Sequence, residues 1–301
     1  GGLDTFLAEV TDFVKGDGTP RFSPFFIPKM IADIASGHIS IKYGFMGPNF
    51  TTTSACASST NSIIDAFNYI RLGKANIIIT GGSEAACNPS GVGGFNAMQA
   101  LSTRNDDPKT ASRPFDKDRD GFVIGEGGVA LVFEELEHAL ARGAKIYAEV
   151  AGIGMSGDAH HITAPHPDGL GALNSMRMAL EVAGMTPADI DHVNTHGTST
   201  PLGDIAETKA LASLFGEHSK DVAVNSTKSM TGHLLGAAGA IEAMTCALAV
   251  QNDMIPPSIN LENRDPEIDP RIRVEAKSCK QPVRAALNNS FGFGGHIVST
   301  L

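Results

Sequence analysis

The residues of this chain best placed to do chemistry are a cysteine, two histidines and a lysine. Cys56 lies in Thr53-Ser54-Ala55-Cys56-Ala57-Ser58-Ser59, a run of small residues that enters a helix at Cys56. Ser58 to Asn61 supply capping-type side chains. A thiol at a helix start meets the positive end of the macrodipole, which favours the thiolate, and the N–H groups there can hold an oxyanion. The plainer alternative is a small buried hydrophobe, the usual fate of a free cysteine. Cys87, Cys246 and Cys279 lack this setting and read as packing residues.

His196 opens His196-Gly197-Thr198-Ser199-Thr200 at the end of a strand, where an imidazole can face a cleft or serve as a satisfied structural group. Lys228 and His233 flank a polar turn in Ser226-Thr227-Lys228-Ser229-Met230-Thr231-Gly232-His233-Leu234-Leu235-Gly236. A lysine beside a core strand costs free energy unless its charge is used or paired. Glu242, on the following helix, is the candidate partner.

Zinc is a poor fit to Cys56, His196 and His233, because no two lie at short ligand spacing and Lys228 would repel a cation. His160, His161 and His166 sit in a Pro-rich stretch that reads as a substrate-channel or surface loop. Neither a G-x-x-x-x-G-K-S/T loop nor a G-x-G-x-x-G between strand and helix is present, so nucleotide binding has no support.

The elements that must position these groups alternate between strand and helix. Asn76–Thr80 reads as a fully buried strand and Ser58–Leu72 as a helix closed by Gly73. Further strands are expected at 127–133, 147–153, 191–194, 222–225, 282–289 and 296–301. Helices are expected at 134–142, 173–182, 204–215 and 234–250. This is the pattern of an α/β fold with covered sheets, and no linker or charge block divides it. Two segments echo each other: Phe122-Val123-Ile124-Gly125-Glu126-Gly127-Gly128 and Phe291-Gly292-Phe293-Gly294-Gly295 both carry G-x-G-G ahead of a strand. They are either unrelated turns or the mark of duplicated halves related by a pseudo-two-fold axis.

The 301 residues are 42% hydrophobic and 19% charged, which excludes a disordered tail or a coiled coil. Acidic residues number 33 against 23 basic ones, a net charge of −10 that disfavours wholesale nucleic-acid binding. No apolar run reaches the roughly 18 residues needed to span a bilayer. The start, Gly1-Gly2-Leu3-Asp4, lacks a secretory signal, and the four cysteines lack disulfide spacing. These features suggest a cytoplasmic protein.

Together the motifs resemble the β-ketoacyl-acyl carrier protein synthases, the elongating condensing enzymes of fatty-acid synthesis, and most closely their type II members. The matching segments are Ser54-Ala55-Cys56-Ala57-Ser58-Ser59, Asn194-Thr195-His196-Gly197-Thr198-Ser199-Thr200, Ser226 to Gly239, and Phe291-Gly292-Phe293-Gly294-Gly295. The resemblance spans essentially the whole chain. It implies a thiolase-like five-layer α-β-α-β-α fold with two pseudo-symmetric halves, residues 1–145 and 146–301, with the N-terminal part of the first half missing. It further implies a homodimer. Cys56 would be the nucleophile, His196 and His233 the donors that stabilise the decarboxylated carbanion, and Lys228 the group that sets their field. Phe293 would gate the site and lend its N–H to an oxyanion hole. Thr198, Thr200, Phe291, Phe95 and Thr163 would contact substrate, and Glu242 would support Lys228. No cofactor is implied, since malonyl and acyl thioesters arrive on the phosphopantetheine of acyl carrier protein. Polyketide ketosynthases, thiolases and a non-catalytic fragment are the alternatives. Ile297 stands where asparagine is usual, Gln99 where some members carry a docking arginine, and Arg21 is a candidate cation for the acidic carrier.

Overall fold

The computed structural model describes residues 2–301. Three helices that the strand–helix pattern did not single out come first: α1 (Leu3–Lys15), α2 (Phe26–Met30) and α3 (Ile34–Tyr43). None buries a side chain, and their aromatic residues pack mainly on one another, Phe22 against Phe26 with ring centroids 5.0 Å apart. A single 3-10 turn, Ala55–Ala57, then leads into α4 (Ser58–Arg71), whose Ile63 and Ile64 are buried. Next come β1 (Ile77–Glu84), α5 (Pro89–Ala97), β2 (Gly127–Glu134) and α6 (Leu136–Ala141). Asn88 caps α5 by accepting the Gly91 N–H at 2.8 Å, the local reason that helix starts there.

The second half runs β3 (Ile153–Gly157), α7 (Leu170–Ala183), β4 (His192–Asn194), α8 (Pro201–Phe215), β5 (Ala223–Asn225), α9 (Lys228–Thr231) and α10 (Ala238–Asn252). A small pair, β6 (Met254–Ile255) and β7 (Cys279–Lys280), precedes β8 (Ala286–Gly292) and β9 (His296–Thr300). The main sheet has order β3-β9-β8-β4-β5, with β4 parallel to β5 and β8, and β9 antiparallel to β8 and β3. In the first half β1 and β2 form an antiparallel pair.

Four layers are built from these pieces. Helices α7 and α8 cover one face of the five-stranded sheet through Met176, Leu180 and Leu211, packed on Val193, Val224 and Leu287. On its other face α4 and α10 lie side by side, and β1–β2 closes over them. That two-stranded sheet exposes Ile77, Ile79 and Val132. Asn76–Thr80 is therefore not the fully buried strand the apolar run suggested. Among the described residues β1 has one sheet neighbour and one packed face, so its burial alternates.

Two other boundaries move. Residues 147–152 are not strand: the Ala151 and Gly152 N–H groups both reach the Leu301 carbonyl, and a Cβ on Gly152 would lie 2.1 Å from the Ala179 carbonyl oxygen, so the chain runs pressed against α7. The strand expected from 282 begins at Ala286, because Val283 and Arg284 give their N–H groups to the Asp253 and Asp191 side chains. Among the described residues no helix is long and apolar enough to cross a membrane.

Candidate active site

Cys56 occupies the 3-10 turn rather than the first turn of α4. Ala55, at φ 51°, turns the chain, Ala57 N–H donates to the Ser54 carbonyl at 3.0 Å, and the Ser58 hydroxyl donates to the Ala55 carbonyl at 2.7 Å. The residue is 8% exposed and packs with Ala86, Phe122 and Leu235, beside the partly buried Phe95. Burial pushes its thiol up to about 11, against the pull of the Lys228 ammonium. The resting sulfur is thus a thiol, not the thiolate expected from a helix start, because an apolar wall outweighs one turn of backbone dipole.

His196 follows β4. Its N–H and that of Gly197 donate to Glu207 Oε1 and Oε2, each at 2.9 Å, which fixes the backbone that carries the ring. Glu207 also accepts from Asn289 Nδ2 at 3.2 Å, and burial pushes its carboxyl up to about 7. His233 is held from the first half: its N–H donates to the Val123 carbonyl at 2.7 Å, and its carbonyl accepts from Gly125 at 2.9 Å. Gly125 has no alternative residue here, since a Cβ would lie 2.5 Å from the Thr231 carbonyl oxygen. The two imidazoles stand 5.2 Å apart. Burial, reinforced by the Lys228 charge, holds both well below the usual histidine range, so both rings are neutral at pH 7. Neither Nδ1 has a hydrogen-bond partner.

The rings continue on both sides. Phe95 meets Phe122 at 5.3 Å, Phe122 meets His233 at 5.3 Å, and His196 meets Phe291 at 5.2 Å. Phe122 also touches the Cys56 cluster, so it links the sulfur to the imidazoles. Lys228 opens α9 almost fully buried and donates from Nζ to Glu242 Oε1. Burial pushes the Glu242 carboxyl up while the Lys228 ammonium opposes the shift. Lys228 makes no hydrogen bond to His233, so it acts on that ring through its field alone.

Thr198 and Thr200 face each other, Oγ1 to Oγ1 at 3.0 Å. Arg119 Nε reaches the Thr200 carbonyl at 3.0 Å and Nη2 the Pro201 carbonyl at 2.7 Å, clamping that loop from the first half. Phe293 sits in the β8–β9 turn beside Gly294 and Gly295, at φ 94° and 77°. Gly294 N–H donates to the Ile162 carbonyl at 2.7 Å, which ties the turn to the loop bearing Thr163. Thr163 itself is exposed and donates its N–H to His161 Nδ1 at 3.2 Å. Arg21 pairs with Asp17 at 3.2 Å on an exposed segment rather than joining a basic cluster. Ile297 is core, 3% exposed. Cys87 is exposed, not packed as expected, whereas Cys246 is buried.

Two residues escaped the sequence reading. Glu207 interrupts a helix face made of Ala206, Ala210 and Leu211, and such an acid on a buried face is the signal that was available. Phe122 was seen only as part of a Gly-rich echo.

The chain is similar to known proteins along nearly its whole length. Residues 5–139 match the β-ketoacyl synthase N-terminal domain and residues 147–262 the C-terminal domain. The chain is 52% identical over 299 residues to 3-oxoacyl-acyl-carrier-protein synthase 2 of Synechocystis, covering 99% of this chain and 71% of that one. It is 50% identical over 296 residues to the enzyme of the same name from Staphylococcus aureus, covering 98% and 73%. A ketosynthase solved in complex with its type II polyketide acyl-carrier protein superposes with TM-score 0.95 at 34% identity, covering 99% of this chain and 74% of that one. The fold is therefore thiolase-like, and the chain belongs to the β-ketoacyl synthase family of condensing acyltransferases.

Proposed function

We propose that this protein elongates fatty acids by decarboxylating Claisen condensation, with Cys56 as nucleophile and His196 and His233 as the decarboxylation pair. The observation that supports the reading is a continuous chain of contacts: the buried Cys56 packs with Phe122, Phe122 meets the neutral His233, and His233 meets the neutral His196. Cys56 attacks an acyl-carrier thioester. Its S–C bond forms as the carrier's thiolate departs, and the thiol proton passes to that leaving sulfur. The Cys56 and Phe293 N–H groups hold the oxyanion, typically the largest single catalytic contribution. Malonyl-carrier protein then loses carbon dioxide. The electron pair left behind resides on the thioester oxygen, where His196 and His233 donate hydrogen bonds without surrendering a proton to carbon. The carbanion attacks the acyl-enzyme carbonyl, the C–S bond to Cys56 breaks, and the departing thiolate takes one proton from solvent water.

In this reading Lys228 sets the field on both histidines and Glu242 keeps its ammonium paired. Thr198 and Thr200 hold the pantetheine arm, and Phe95, Phe291 and Thr163 line the substrate path. Residues 1–145 and 146–301 act as the two halves. The working protein is a cytoplasmic homodimer that needs no cofactor of its own and takes malonyl and acyl thioesters from acyl carrier protein. Identity of 50–52% to named 3-oxoacyl synthases, against 34% to a polyketide ketosynthase, favours fatty-acid over polyketide elongation. Incubation with a mass-tagged acyl-carrier thioester tests it: an adduct on the Cys56 peptide is expected, and acyl transfer that persists in Cys56→Ala would sink the assignment.

A further inference from the structure

The two halves repeat one device. In each, a 3-10 turn with a positive φ at its first residue opens the helix lying between the sheets: Ala55–Ala57, with Ala55 at 51°, and Leu235–Ala237, with Leu235 at 46°. Ala57 N–H donates to the Ser54 carbonyl at 3.0 Å and Ala237 N–H to the Leu234 carbonyl at 2.9 Å. The repeat puts Gly236 where the first half carries Cys56. A glycine near the end of a strand leans on each turn, and the pairing is reciprocal. A Cβ on Gly292 of β8 would lie 3.3 Å from the Cys56 nitrogen, and one on Gly82 of β1 would lie 3.2 Å from the Gly236 oxygen.

Beyond Gly292 the chain continues as Phe293, whose N–H belongs to the proposed oxyanion hole. Beyond Gly82 it continues as Ser83 and Glu84, and here the copies differ. Glu84 Oε2 accepts the Gly236 N–H at 3.3 Å. A carboxylate of the protein itself thus occupies the second turn. A Cβ on Gly236 would lie 3.1 Å from Glu84 Oε2 and 3.8 Å from the Ala55 carbonyl oxygen, so carboxylate and nucleophile turn meet across one glycine.

We propose that Glu84 is a positioning residue for Cys56: its carboxylate fastens the Gly236 turn against the nucleophile turn and sets beside it a negative charge that opposes the Lys228 ammonium. Charges face Cys56 from three elements. Lys228 on α9 favours ionisation, while Glu84 on β1 and Glu242 on α10 oppose it. His196 and His233 are neutral neighbours in the same pocket. Glu242 spends its charge on Lys228, whereas Glu84 has no salt-bridge partner among the described residues. A sulfur kept as thiol reacts slowly with adventitious electrophiles and oxidants between turnovers, since the thiolate is the reactive form.

The inference rests on Cys56 being the nucleophile, and its test is separable from that reading. Iodoacetamide capture of Cys56 is followed by peptide mass across pH 7 to 10 in the full chain, beside acyl transfer from a carrier thioester. Glu84→Gln keeps an acceptor oxygen and drops the charge, whereas Glu84→Ala drops both. The Gln variant is expected to label about threefold faster at every pH in this window, all of it below the midpoint, as a pKa lower by about half a unit requires. The Ala variant is expected to lower kcat for acyl transfer as well, with KM for the malonyl carrier unchanged. Superimposable labelling profiles for wild type and Glu84→Gln would overturn the proposal, even if Glu84→Ala fails to fold. Absence of acyl transfer in the wild type would instead overturn the nucleophile reading, while the labelling comparison would still decide the role of Glu84.

Discussion

The imidazoles of His196 and His233 meet edge to face, their ring planes at 87° and their centroids 5.2 Å apart. Each is delivered by separate backbone anchors, Glu207 beneath His196 and the Val123–Gly125 segment beneath His233. Two rings set at right angles meet by edge and face rather than stacking.

Alanine at either position removes one of two donors from the developing enolate. Malonyl decarboxylation, read as labelled carbon dioxide release, should fall at least about 10²-fold in His196→Ala and in His233→Ala. Near-normal release in both variants would exclude the pair from the chemistry.

His192 offers a cleaner titration, since its Nε2 lies 2.6 Å from Asn225 Oδ1 in a fully buried site on β4. Burial lowers its pKa from 6.5 to about 4. The folded state resists protonation that the unfolded chain accepts, so this contribution is complete above pH 6.5 and is lost as pH falls towards 4. Its size is about 3 kcal/mol. Urea midpoints for wild type and His192→Gln should therefore converge or cross between pH 7 and 4, the wild type losing more. Parallel curves would show that this histidine does not titrate as buried.

Much of this was legible in the sequence because local rules and fold agree. Asp204–Phe215 lies within α8, and 173–182 lies within α7, which ends at Gly184 as a positive-φ cap. The turns at Cys56 and Gly236 do repeat, but the glycine that matches Gly292 there is Gly82, outside the 122–128 segment that the G-x-G-G echo singled out. What escaped depends on non-local packing. The state of the Cys56 thiol follows from Phe122 and Leu235, distant in sequence, rather than from its own helix start. The alternating exposure of β1 reflects how many neighbours the strand has, which an apolar run does not encode. Helices α1 to α3 bury no side chain, so the search for a strand–helix alternation passed over them.

Lys228 and Glu242 form a buried pair whose members depend on each other. Removing Glu242 alone strands an ammonium in the core, so Glu242→Ala should cost about 3–5 kcal/mol in chemical denaturation. Replacing both, as Lys228→Met with Glu242→Leu, should restore most of that loss while leaving decarboxylation impaired, because the field on the histidines is gone. A double variant as unstable as the single one would mean that packing, not charge, sets the cost.

Gly292 separates the two halves of the chemistry. A Cβ there would lie 2.3 Å from the Ser54 carbonyl oxygen and 3.3 Å from the Cys56 nitrogen, so Gly292→Ala must push β8 and the nucleophile turn apart. Overpacking of this kind costs about 1–3 kcal/mol, which the fold can survive. The displaced groups are the sulfur and the backbone N–H beside it. His233 is anchored off β8, by residues 123–125, and the His196 backbone by Glu207 of α8, which β8 meets through Asn289 as it meets the His196 ring through Phe291. Acylation of Cys56 should therefore drop by about tenfold or more from lost alignment, while malonyl decarboxylation in the same preparation falls far less. Equal losses in both steps would mean that the Cys56 turn and the imidazoles move as one body, and that their separate anchors do not isolate them.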